Sequence, residues 1–111
     1  MDQNNRTIET LANQGIIEIL KDYLKEIPKE LGLKEAYLFG SYANGKETES
    51  SDMDLALIFD KMEDFFQTQS ILRKLRRNID IRIEPHPLKI EEFNSENPFA
   101  LEIKETGILI G

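Results

Sequence analysis

Two carboxylates spaced i, i+2 open a run that is otherwise apolar, Asp52-Met53-Asp54-Leu55-Ala56-Leu57-Ile58-Phe59. Asp60 closes it and a polar stretch, Ser41 to Ser51, precedes it. A short apolar run with such bounds reads as a buried strand. Side chains alternate along a strand, so Asp52 and Asp54 share a face while Met53 and Leu55 turn into the core. Gly40-Ser41 precedes Asp52 with ten residues between, at the end of a second apolar run, Lys34 to Phe39 (KEAYLF). Any fold for this chain has to end one strand in a glycine turn and begin the next with two acids.

The other elements follow from periodicity. Thr7 or Thr10 caps a helix running to about Ile27, with Leu11, Ile16, Ile17, Leu20, Leu24 and Ile27 on one face. Residues 1–7 read as frayed, and Pro28 and Gly32 as breaks. Glu63 or Asp64 starts a second helix to about Arg77, with a stripe of Phe65, Ile71, Leu72 and Leu75 flanked by Phe66. Ile79 to Glu84 alternates strictly and reads as the third strand, ended by Pro85 and Pro87. Residues 88–93 and 98–105 read as helical, with Asn97 as cap and Pro98 at the first helical position. Gly107 turns the chain and Ile108 to Ile110 can add an edge strand. No repeat or linker interrupts residues 1–111, which are expected to form a single domain. The order is α, β, β, α, β, α and a short β, which is an α+β fold with a mixed sheet of three to four strands flanked by helices.

The acids suggest metal chemistry. If strands two and three are neighbours, Asp80 can sit across from Asp52 and Asp54. Two unit charges about 4 Å apart repel by roughly 4 kcal/mol at an effective dielectric of about 20. A hard divalent cation removes that cost, and Mg²⁺ favours carboxylate plus phosphate oxygens. Such a clamp suits in-line attack at phosphorus. Gly40 lets backbone approach a ligand, and Ser41 offers a hydroxyl and an N–H to phosphate.

Charge and composition exclude several classes. Twenty-one acids against 14 bases leave a net charge of −7, which argues against a long nucleic acid as the main partner. With no cysteine there is no thiolate nucleophile or thiolate metal site. No apolar run approaches the roughly 18–20 residues of a membrane span, and the N-terminus lacks a signal-peptide profile, so the expected location is cytoplasmic.

The stretch GSYANG, the ten-residue gap and SDMDLALI together resemble the DNA polymerase β-type nucleotidyltransferase superfamily. Within it the chain looks most like the minimal nucleotidyltransferases, often paired with HEPN-domain proteins. The motif covers Lys34 to Glu84. The resemblance implies that Gly40, Ser41, Gly45 and Lys46 bind nucleotide. It implies that Asp52, Asp54 and Asp80 bind one or two Mg²⁺ ions, with Asp80 also activating an acceptor hydroxyl. It further implies transfer of a nucleoside monophosphate, AMP from ATP, to a HEPN toxin that is thereby neutralised. Relatives often carry a basic residue before the second glycine, where this chain has Asn44; nearby Lys46 can substitute or can equally be a solvated side chain.

Rival readings stay open at this level. The chain can be an antitoxin that acts by binding alone, or a transferase to a small molecule such as an aminoglycoside, with self-association supplying missing acceptor surface. Asp80 can be a partner of Arg82 or Arg77, with Glu84 as substitute carboxylate. Arg73, Lys74, Arg76 and Arg77 complement a helix C-terminus or contact a partner or phosphate. His86 reads as a lone exposed imidazole, Tyr42 as a packed ring or a base-stacking one, and Phe93 and Phe99 as core or interface.

Overall fold

A computed structural model describes residues 15–111. Helix α1 covers residues 15–26, followed by a 3-10 turn, Lys29–Leu31. Then come β1 (Leu33–Phe39), α2 (Ser41–Asn44), β2 (Met53–Phe59), α3 (Phe65–Arg76), β3 (Ile83–Lys89), α4 (Pro98–Thr106) and β4 (Ile108–Leu109). The expected caps Thr7 and Thr10, the frayed residues 1–7 and Leu11 lie outside the described residues.

The sheet order is β3-β2-β1-β4. β1 runs antiparallel to β2 and to β4, and β2 runs parallel to β3. A parallel pair needs a crossover, which α3 provides. β2 is therefore central and covered on both sides. Leu55, Leu57 and Phe59 join Ala36, Leu38, Ile83, Leu20, Tyr23 and Leu72 in one cluster, under α1 and α3. Ala56 and Ile58 join Leu88, Phe93, Ala100 and Ile103 in the other, under α4. Burial on both faces explains why β2 reads as a near-continuous apolar run. Asp64 caps α3, accepting from the N–H groups of Phe66 (2.9 Å) and Gln67 (3.1 Å), and Asn97 caps α4 in the same way. The stripe expected on α3 is corrected at its start: Phe65 and Phe66 are exposed, and Thr68 and Leu72 are the buried positions.

The third strand is a larger correction. It begins at Ile83, not Ile79, and it runs through Pro85 and Pro87 instead of ending at them. Residues 77–82 form turns, and Ile81 is 73% exposed. Asp80 causes the shift, because its Oδ1 accepts from the backbone N–H of Arg82 at 2.9 Å and fixes a turn. The prolines are tolerated because β3 is an edge strand. Met53 donates to the carbonyl of Arg82 at 2.8 Å. In a parallel ladder that phase aims the N–H groups of residues 84, 86 and 88 at β2, and positions 85 and 87 outward. Two prolines spaced i, i+2 thus remove only donors that had no strand to meet. The outward carbonyls are covered by α3: Arg76 donates to Ile83 O at 3.0 Å and Gln69 to Pro85 O at 3.1 Å. That finish blocks further strand addition at this edge.

The expected helix over residues 88–93 is a single 3-10 turn, Ile90–Glu92, between β3 and Phe93. α1 is tied to α3 by the Tyr23 hydroxyl, which donates to the Leu72 carbonyl at 2.7 Å in the core. Burial pushes the Tyr23 phenol well above its ordinary value, so the hydroxyl stays a donor. Tyr23→Phe is expected to lower unfolding free energy by about 1 kcal/mol, measured by urea denaturation with an unchanged slope.

Candidate active site

The pairing of β1 with β2 closes the gap between the two halves of the motif. Phe39 is the partner of Asp54, so the chain leaves β1 at Gly40 beside the place where β2 takes in its second aspartate. Gly40 has φ 74° and ψ −148°, a conformation essentially reserved for glycine. A Cβ at Gly40 would collide with Oδ2 of Asp54. The turn is thus compatible with glycine alone on two counts, and Oδ2 faces it.

α2 is one helical turn. Its first N–H groups have no intrahelical acceptor, as at any helix start. Tyr42 is buried, which answers its open reading in favour of packing. Gly45 ends the turn in the left-handed region at φ 71°, and Lys46 donates its N–H to Ser41 O at 2.9 Å. Lys46 is exposed in the loop that follows. That loop is fixed by its own hydroxyls: Thr48 N–H donates to Ser51 Oγ at 2.8 Å, and Ser51 N–H to Thr48 O at 3.1 Å. Asp52 comes next, exposed just ahead of β2, and Asp54 is half-buried inside the strand. Asp54 therefore meets the Gly40 turn directly, with Ser41 and Asp52 next to them in sequence and Gly45 and Lys46 on the segment between.

Asp80 does not join as expected. It lies in the turn ahead of β3, and both its oxygens hold the Arg82 guanidinium, at 3.0 Å to Nε and 2.7 Å to Nη2. The rival reading of Asp80 as a partner of Arg82 is the observed one. Glu84 is the strand partner of Asp54, but its carboxylate is bound by Arg73 and Arg76, each at 3.0 Å. Those contacts also account for half of the basic cluster on α3.

The β3 side chain that does reach the pair is His86. Its Nε2 lies 3.2 Å from Asp54 Oδ1, so it is not the lone imidazole expected. The signal was present in Pro85-His86-Pro87: an edge strand through both prolines puts His86 on the same face as residue 84. Among the described residues no group of three His, Cys, Asp or Glu side chains gathers to hold a metal. Asp52 and Asp54 still fit Mg²⁺, which is commonly bound through one or two carboxylates and completed by phosphate and water.

Residues 14–111 match the family profile described as "Polymerase beta, Nucleotidyltransferase". The chain belongs to that nucleotidyltransferase family. A Methanocaldococcus jannaschii protein named as a candidate protein adenylyltransferase is 31% identical over 85% of this chain and 92% of its own length. A second from that organism, named likewise, is 37% identical over 63% of this chain and 76% of its own length. The protein adenylyltransferase MntA of Thermococcus cleftensis is 27% identical over 67% and 75%. A toxin–antitoxin structure with AMP-PNP superposes with TM-score 0.62 at 20% identity, over 86% of this chain and 72% of that one. An MntA–HpeT toxin–antitoxin structure gives 0.52 at 26% identity, over 87% and 69%. The polymerase β-like fold and the nucleotidyltransferase class expected from the motif are thereby established.

Gly40→Ala would strain the backbone and push Asp54 aside, so transferase activity is expected to fall about 100-fold in a steady-state assay. The Arg82 hydrogen bonds hold the Asp80 carboxyl below its ordinary value of 3.8. A lowered value means that the pair stabilises the fold at neutral pH and loses this effect as pH falls through the folded-state value. Asp80→Asn is expected to cost about 0.5–1 kcal/mol near pH 7 and progressively less below about pH 4, read from denaturation midpoints across pH.

Proposed function

We propose that this enzyme transfers AMP from ATP to a hydroxyl on a HEPN-type toxin protein and acts as its antitoxin, with Mg²⁺ required. The observation that carries the proposal is the close approach of Asp54 to the Gly40-Ser41 turn. Asp54 Oδ2 lies against Gly40, so a cation held by that carboxylate would stand next to the turn whose Ser41 hydroxyl and N–H groups can meet phosphate. Asp52 and Asp54 hold the cation, which supplies charge neutralisation and alignment at the α-phosphate. The Ser41 hydroxyl and the first N–H groups of α2 hold the β- and γ-phosphates, and Lys46 adds positive charge from the loop. Gly45 ends α2 so that Lys46 returns towards Ser41. The acceptor oxygen bonds to the α-phosphorus, the bond to the β-phosphate bridge breaks, and pyrophosphate leaves. The hydroxyl proton passes to solvent at the open side next to Asp52. Catalysis of this kind is positioning plus electrostatics.

Support for the partner comes from the toxin–antitoxin assemblies among its structural neighbours and from the net charge of −7, which complements a basic ribonuclease cleft. An ATP-consuming reaction of this type takes place in the cytoplasm. Neither a long nucleic acid nor a membrane enters the scheme, and no helix among the described residues is long and apolar enough to cross one.

A second reading, neutralisation by contact alone, is favoured by one observation: the expected third carboxylate, Asp80, is bound to Arg82. One experiment separates the two. The protein is incubated with ATP, Mg²⁺ and its HEPN partner, and the intact mass of the partner is measured. Addition of one or more AMP groups is expected with the native chain and not with Asp54→Asn. If Asp52→Asn/Asp54→Asn still neutralises the toxin without any mass change, contact alone is the mechanism.

A further inference from the structure

We infer that His86 is a positioning residue for the metal-binding carboxylate, fixing Asp54 so that Oδ2 is the oxygen presented to the cation. This inference rests on the proposed function and adds a residue that the motif does not contain. The geometry is complementary at the two oxygens. Oδ1 meets His86 Nε2 at 3.2 Å, and Oδ2 lies against Gly40 at the head of the Gly40-Ser41 turn. A carboxylate oxygen only accepts, so Nε2 carries the hydrogen and the ring is the donor. Free rotation about the terminal torsion of Asp54 would exchange the oxygens, because that torsion is broad and roughly two-fold. The hydrogen bond breaks that symmetry.

His86 is held firmly enough to do so. Its backbone pairs with Ala56 in the parallel ladder, and prolines on both sides restrict the chain. Phe39 packs its ring edge-on to the imidazole at 5.1 Å, and Phe99 lies 6.4 Å away. His86 also borders a hollow of about 300 Å³ lined by Phe65, Gln69, Asn97 and Phe99. Groups that orient metal-ligating side chains typically change affinity or activity by about 10–100-fold when removed.

The test compares two substitutions that separate packing from hydrogen bonding. His86→Phe keeps an aromatic ring against Phe39 and Phe99 but has no donor. His86→Gln loses the ring but places an amide N–H near the position of Nε2. Binding of Mn²⁺ is read from the free-ion signal in electron paramagnetic resonance, with α,β-methylene-ATP present so that no turnover occurs. Thermal unfolding of each variant checks folding. His86→Phe is expected to weaken Mn²⁺ binding about 10-fold or more, and His86→Gln to stay within about 3-fold of the native protein. The reverse order, equal binding by both or equal loss by both overturns the inference. Asp54→Asn, measured alongside, is expected to abolish binding. If it binds Mn²⁺ like the native protein, the metal site itself is wrong. If it abolishes binding while His86→Phe does not weaken it, only the role of His86 falls.

Discussion

The register of β1 against β2 is the constraint on which the site depends. Phe39 opposite Asp54 places a glycine turn and a carboxylate within contact distance. The register is fixed by burial. β2 is covered on both faces, so a slip of one residue would exchange Leu55 and Leu57 with Ala56 and Ile58 and carry Asp54 into the α1/α3 core. The apolar clusters that stabilise the sheet therefore also set the aim of the acids. Asp54 sits at the rim of the second cluster, beside Phe39 and His86, where surrounding apolar groups strengthen any electrostatic contact it makes.

At the opposite side of β2 the sheet ends in a strand that other strands cannot join. Pro85 and Pro87 remove two outward donors, and Arg76 and Gln69 occupy two outward carbonyls. The same helix supplies Arg73 and Arg76 to Glu84. α3 thus performs the crossover, seals the edge and binds the one β3 carboxylate paired in register with Asp54. These tasks share residues, so a change at Arg76 reaches the edge and the Glu84 carboxylate together.

Local signals were legible where one cause decided the outcome. Asp64 and Asn97 as caps, the Gly40 turn, the apolar run of β2 and the short final strand could all be read from neighbours in sequence. The errors fell where two signals competed. The alternation of Ile79, Ile81 and Ile83 suggested a strand, but the Asp80 side chain captured the Arg82 N–H and guanidinium and made a turn instead. The prolines suggested a stop, but an edge position made them harmless. Together the errors moved the third strand by four residues at its start and five at its end, and so put Asp80 where His86 belongs. Edge or centre is a property of the sheet, set by which strands pair, and no local window contains it.

The distribution of positive charge bears on how a triphosphate could bind. Arg82 is bound to Asp80, and Arg73 and Arg76 to Glu84. Three of the cations on the turn and the helix nearest β3 are therefore already matched by the protein's own acids. Asp52 and Asp54 add negative charge at the site itself, and Lys46 stands on the loop as an exposed cation. A triphosphate brought to such a corner without a metal ion meets two carboxylates, opposed only by Lys46 and backbone N–H groups. Under the proposed function the balance is restored by the cation shared between the two carboxylates and the nucleotide. On that account the nucleotide and the ion bind as a unit, and the acids that hinder either one alone are what hold both.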